Sequence, residues 1–146
     1  MLRDGDQPLL GCRVLVVEDE YFLADDLRSE LEAIVANVIG PVGDLGDARA
    51  CVERDGFDVA VIDINLRGEA AYALADKLAR QRIPFLFTTG YGAEVIPPRF
   101  ENIIRWEKPY DVRRIAEDIG RLYTLARDSI LRTVRPGKPS SFSTLG

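Results

Sequence analysis

The apolar positions of this chain fall into short continuous runs that alternate with stretches in which they recur every three or four residues. The first run, CRVLVV over 12–17, lies between a polar start and Glu18-Asp19-Glu20 and is too short for a helix, so it reads as a strand buried on both faces. Over 21–35, Leu23, Leu27, Leu31 and Ile34 recur at spacings of four, four and three, which predicts an amphipathic helix. A second run over 37–42 is interrupted by Gly40-Pro41. Proline cannot donate to a ladder, so this strand should lie near a sheet edge or near its own end. Residues 44–55 give a modest helix through Leu45, Ala48, Cys51 and Val52, and FDVAVIDI over 57–64 is a third strand.

The spacing turns helical again over 69–81 through Ala71, Leu74, Ala75 and Leu78, after Gly68 has punctuated the loop. PFLFT over 84–88 is a fourth strand, stopped by Gly90 and Gly92, and 103–107 is a fifth, ending at Lys108-Pro109. Asp111 can cap a last helix whose buried face is Val112, Ile115, Ala116, Ile119, Leu122 and Tyr123. Five short runs alternating with helices predict an α/β domain, a parallel sheet covered on both faces, because parallel strands need right-handed crossovers. One connection breaks the pattern. In GYGAEVIPPRFEN, Pro97-Pro98 forbids a long regular helix, so the fourth helix should be short or absent. Residues 136–146 have the composition of a flexible tail, and from Arg127 onward the chain is locally basic.

With 146 residues, 47% of them hydrophobic, the chain has the material for one domain with one sizeable core. The net charge of -5 disfavours direct DNA binding. Histidine is absent, which removes His-dependent triads, His-ligated zinc and any part as a phosphohistidine donor. Cys12 and Cys51, far apart in apolar surroundings, fit buried thiols of a reducing cytoplasm. The start MLRDGDQPLL lacks the pattern of a signal peptide, and no stretch approaches the length of a membrane span.

In a parallel sheet of this kind, ligands bind at the carboxyl ends of the strands. The first strand ends in Glu18-Asp19, the third in Asp63, the fourth in Thr88-Thr89 and the fifth in Lys108, so all are predicted on one edge. Taken singly, each has a duller account: acidic residues suit a helix N-terminus, Asp63 a turn, the threonines a strand end, and Lys108 a solvated surface. Together they are harder to dismiss. Three converging carboxylates repel one another unless a cation lies between them, and an all-oxygen donor set suits Mg²⁺ or Mn²⁺. An ammonium and a hydroxyl facing that metal are what a phosphoryl group's oxygens need, so the edge reads as a site for phosphate on a carboxylate.

VLVVEDE, VIDINL, FTTGYG and Lys108-Pro109 resemble, in order and spacing, the motifs of bacterial response-regulator receiver domains (CheY-like). Asp63 follows Asp19, and Lys108 follows Asp63, by 44 and 45 positions. The resemblance covers about residues 11–127. It implies a flavodoxin-like, doubly wound five-stranded parallel sheet of order 2-1-3-4-5. Residues 1–10 would be an N-terminal extension, and 128–146 the end of the last helix and a basic tail. It further implies that Asp63 is the phosphoacceptor, that Asp19 and Asp63 bind Mg²⁺ directly, Glu18 through water, and that the backbone carbonyl of Asn65 adds an oxygen. Thr89, immediately before Gly90, would bond one phosphoryl oxygen and Lys108 another; Thr88 fits the pattern less well. PFLFTTGYG is similar to the FAT GUY subgroup of single-domain receivers, commonly linked to HWE histidine kinases.

The expected function is that of a stand-alone receiver in the cytoplasm, not a conventional enzyme, that takes a phosphoryl group from a histidine kinase or phosphotransfer protein and signals to a downstream protein partner, away from DNA and membrane. The alternatives are an aspartyl-phosphate phosphatase or phosphotransferase acting on small molecules, a receiver that works without phosphorylation, and a fragment of a longer regulator. The resemblance also implies a cis Lys108-Pro109 bond, with Pro84 and Pro97-Pro98 trans. Most receivers have an aromatic residue three positions before the lysine, whereas here Arg105 stands there. Trp106 points to the opposite face and should pack in the core. The signal is then expected to run through 90–101, mobile without phosphate, with Tyr91 following Thr89.

Overall fold

A computed structural model describes residues 9–34, 36–54, 56–66, 69–90 and 96–133. The apolar runs became β1 (Arg13–Val17), β2 (Asn37–Val42), β3 (Val59–Asp63), β6 (Phe85–Thr89) and β7 (Arg105–Glu107) of one parallel sheet, ordered β2-β1-β3-β6-β7. The expected order of the five principal strands is therefore observed. The periodic stretches became α1 (Tyr21–Ala33), α2 (Leu45–Arg54), α3 (Tyr72–Arg80) and α4 (Val112–Thr133).

Alternation along the strands divides the core in two. Leu15, Val17, Ala60, Ile62, Phe85 and Phe87 face α2 and α3, meeting Leu45, Ala48, Leu74 and Leu78. Val14, Val16, Val59, Val61 and Leu86 face α1 and α4, meeting Leu27, Leu31, Ile115 and Ile119. Leu9, in the stretch read as an extension, is fully buried in this second layer. Each fully buried leucine or isoleucine contributes roughly 1.5–3 kcal/mol relative to an exposed one, so the apolar spacing is what fixes the helices to the sheet.

β2 lies at an edge, as its proline requires. Gly40 has φ +92°, and a Cβ there would lie 2.8 Å from the Val42 nitrogen and 3.0 Å from the Val16 carbonyl oxygen. The β1–β2 register shifts at this point, between Leu15 and Val17. The Gly40-Pro41 bond is cis, which the sequence reading did not anticipate. Lys108-Pro109 is cis as expected, and the bonds to Pro84, Pro97 and Pro98 are not among the cis bonds.

The helix read over 69–81 is corrected at its start. Asn65–Leu66 (β4) and Glu69–Ala70 (β5) pair antiparallel, and α3 begins only at Tyr72. The Ala71 N–H donates to the Ile64 carbonyl at 2.8 Å, closing a loop through backbone bonds that side-chain periodicity cannot register. Between β6 and β7 the described residues contain a single 3-10 turn, Pro98–Phe100, in agreement with the short fourth helix expected. Phe100 packs on Tyr72, Phe85 and Phe87, and Arg99 holds Asp76 of α3 through two bonds of 2.8 and 2.9 Å. Tyr91 and the rest of 91–95 lie outside the described residues, as do 1–8 and the tail 134–146, so the expectations for them find no counterpart here.

Candidate functional site

Because β1, β3, β6 and β7 run parallel, their carboxyl ends share one edge of the sheet. Glu18 and Asp19 follow β1, Asp63 ends β3, Thr88 and Thr89 end β6, and Lys108 follows β7. The predicted convergence is realised in the side chains of Glu18, Asp19, Asp63 and Lys108. The Lys108 ammonium lies 2.9 Å from Asp63 Oδ2, and 2.9 and 3.0 Å from the two oxygens of Glu18. Glu18 and Asp63 are almost wholly buried, at 4% and 3% exposure, so these are charges that need partners. Backbone donors help supply them. The Asn65 N–H donates to Asp63 Oδ1 at 3.0 Å, and the Glu20 N–H to Glu18 Oε2 at 2.9 Å.

The electrostatics follow from this burial. Desolvation pushes the Glu18 carboxyl up to about 7, against the bonds it accepts from the Glu20 N–H and Lys108. Burial also raises Asp63 above the ordinary carboxylate range, opposed by Lys108 and the Asn65 N–H. Burial alone would lower Lys108, but its bonds to Glu18 and Asp63 prevail and hold the ammonium above the usual lysine value.

Glu18, Asp19 and Asp63 each offer a carboxylate oxygen, and the three lie within 4.8 Å of one another. This oxygen-only set fits a hard divalent cation such as Mg²⁺ and offers nothing to a soft one.

The two threonines differ in placement. Thr88 is in register with Asp63 and Trp106, on the sheet face of Leu86, and its buried hydroxyl makes no hydrogen bond. Thr89 shares the face of Phe85 and Phe87, and its carbonyl accepts the Lys108 N–H at 2.8 Å. Trp106 packs against the α1/α4 layer as expected; in addition its Nε1–H donates to Asp118 of α4 at 2.8 Å. Arg105 is exposed on the other side.

Two participants, Glu20 and Tyr110, escaped the sequence reading, and Asn65, expected through its carbonyl, has a second part through its N–H. The Glu20 carboxylate lies 3.4 Å from the Lys108 ammonium. Asn65 serves Asp63 through its N–H. Tyr110, two residues after Lys108, buries a hydroxyl without a hydrogen-bond partner, and its pKa is raised by burial and then by the charge of Glu18. Only Glu20 had a usable signal, a third acid directly after Glu18 and Asp19.

No protein-family model matches the chain. It is 33% identical over 113 residues to the sensory transduction protein RegX3 of Mycolicibacterium smegmatis, a match covering 70% of this chain and 46% of RegX3. The chain thus spans less than half of that relative. Its structure resembles SdrG from Sphingomonas melonis Fr1 at 34% identity and a TM-score of 0.68, covering 77% of this chain and 96% of SdrG. A response regulator receiver domain protein (CheY-like) from Methanospirillum hungatei JF-1 shares the fold at 22% identity and a TM-score of 0.71, covering 82% and 98%. No helix among the described residues is long and apolar enough to cross a membrane. The strand order, the acidic edge bridged by a lysine and the likeness to SdrG along nearly that whole chain lead to one assignment: this chain belongs to the CheY-like receiver domains of response regulators.

Proposed function

We propose that Asp63 accepts a phosphoryl group from the phosphohistidine of a histidine kinase or phosphotransfer protein. The observation that carries this reading is the Lys108 ammonium held 2.9 Å from both Asp63 and Glu18 at the carboxyl edge of the sheet. A carboxylate oxygen of Asp63 bonds to phosphorus, the phosphorus–nitrogen bond breaks, and the electron pair returns to the donor imidazole, leaving an acyl phosphate. Lys108 is within reach of the new phosphoryl oxygens and neutralises one of them; Thr89 is the hydroxyl assigned to another. Asn65 keeps Asp63 oriented through its N–H. Asp19 and Asp63 would hold Mg²⁺ directly, Glu18 through water, with the Asn65 carbonyl as a further ligand. The ion, when bound, supplies charge neutralisation for the carboxylates and the phosphoryl group.

A protein donor is supported by the surface beside the site. Tyr21 and Phe22, the first residues of α1, are 74% and 81% exposed, an apolar display that small phosphate esters do not require. The receiver unit is assigned to 11–127, and PFLFTTGY over 84–91 supports the FAT GUY subgroup and an HWE-class kinase as donor. Such donors work in the cytoplasm, and the buried free Cys12 and Cys51 agree with that compartment. Output is assigned to contacts with a downstream protein.

Intact-mass analysis after incubation with Mg²⁺ and candidate kinases tests this reading. The parent should gain one phosphoryl group and Asp63→Asn none, because an amide is not a usable nucleophile. Equal uptake by the variant would refute the assignment, and rapid turnover of small phosphate esters would favour a phosphatase instead.

A further inference from the structure

Glu20 occupies the N-cap position of α1, and its side chain makes no capping bond to the first turn. Its carboxylate turns back toward the site and lies 3.4 Å from the Lys108 ammonium. Lys108 is therefore shared among three carboxylates. Two of them, Glu18 and Asp63, are buried, while the Glu20 side chain is 62% exposed and stands on the solvent side of the ammonium. A phosphoryl donor arriving from solvent needs Lys108 for one of its oxygens and meets the Glu20 charge beside it.

We propose that Glu20 is a positioning residue that holds Lys108 from the solvent side and screens the site by donor charge, disfavouring small dianionic donors such as acetyl phosphate. This inference rests on the phosphoacceptor reading of Asp63. With acetyl phosphate, an Asp63 oxygen bonds to phosphorus, the bond from phosphorus to the acetyl oxygen breaks, and acetate leaves with the electron pair. With phosphoramidate, the phosphorus–nitrogen bond breaks and ammonia leaves from the already protonated nitrogen. The chemistry at Asp63 is the same, but the first donor is a dianion and the second a monoanion at neutral pH. Like charges a few ångströms apart near a surface repel in proportion to the donor's charge, so Glu20 slows the first donor more than the second. A protein donor can offset the same charge with cations of its own.

The test compares the parent, Glu20→Gln and Glu20→Asp, each saturated with Mg²⁺, for their rates of Asp63 phosphorylation by the two donors. Glu20→Gln keeps the backbone N–H that serves Glu18. It should accelerate labelling by acetyl phosphate about three- to tenfold, with a smaller gain for phosphoramidate, and the difference should shrink near about 1 M salt, where screening acts within ~3 Å. Glu20→Asp should stay near the parent. In the metal-free protein, the nitrogen resonance of the Lys108 ammonium should move in Glu20→Gln. Unchanged acetyl phosphate rates, or an equal and salt-independent gain with both donors, would overturn the inference while leaving Asp63 as the acceptor. Failure of the parent to be labelled by either donor would overturn the phosphoacceptor reading and this inference with it.

Discussion

Glu18 is a carboxylate buried at the carboxyl edge of the sheet, and its titration should be visible in the stability of the whole protein. In the unfolded chain its carboxyl has the ordinary value of 4.5, whereas burial in the fold pushes it up to about 7. A carboxyl that holds its proton more tightly when folded stabilises the native state fully below pH 4.5, and that contribution is lost as pH rises through about 7. Measured against Glu18→Gln, whose amide does not titrate, the metal-free parent should therefore lose stability across this window. Urea midpoints that differ by a constant amount over it would show that Glu18 is not buried as described. Much of this residue's setting was legible in advance: VLVVEDE puts it directly after a buried strand. Its bonds to Lys108 were not, since the two are 90 positions apart and meet only when β1 and β7 sit in one sheet.

Elements follow the apolar period closely where side chains decide the outcome, and less closely where backbone does. α1, α2 and α4 begin within a residue of their expected starts; α2 and α4 open on the first apolar residues of their faces, Leu45 and Val112, whereas α1 opens at exposed Tyr21 ahead of its buried Ala24, Leu27 and Leu31. The β4–β5 pair was invisible, since it depends on the closure of Ala71 N–H onto Ile64. Edge strand β2 shows both effects. Its proline announced an edge, but the need for glycine at 40 comes from the Val16 carbonyl and Val42 nitrogen that crowd it. Gly40→Ala should accordingly cost about 1–3 kcal/mol, combining a positive φ with that close approach. Chemical denaturation reads this directly, and a loss within experimental scatter would mean that β2 relaxes away from β1. Gly90→Ala is a useful control, because a Cβ there meets nothing within 4 Å.

Across the whole molecule, the site couples charge to folding. A cation held by Glu18, Asp19 and Asp63 would bind only when these carboxylates are brought together, so it would stabilise the native state by mass action, by about 2.7 kcal/mol at a hundred times its dissociation constant. Thermal denaturation with and without Mg²⁺ should show this gain in the parent and little of it in Asp19→Asn; an equal gain in both would remove Asp19 from the ligand set. Phosphorylation should also reach beyond the site. Arg105 stands on the face of Phe87 and Thr89, and the connection ahead of it is tied down at Phe100 and Arg99. Hydrogen exchange across 90–101 should slow in Asp63-phosphorylated protein. Unchanged protection there, with changes elsewhere, would direct attention to Trp106 and its bond to Asp118 of α4 as the route.

Whereas the strand order came from the family resemblance and the β4–β5 pair was not foreseen, the alternation of five principal strands with helices, the two-faced core and the placement of Glu18, Asp19, Asp63, Thr88-Thr89 and Lys108 at one edge were legible in the sequence alone. Their physical reason is local: run length separates strand from helix, parallel crossovers dictate alternation, and polar residues at strand ends must then share an edge. What only the tertiary structure decided are the relations between elements distant in the chain. These include the sharing of Lys108 among Glu18, Asp63 and Glu20, the Trp106–Asp118 bond and the buried hydroxyl of Tyr110. Such features have no periodic signature, because they are set between elements far apart in the chain only after the apolar faces have fixed where the strands and helices lie.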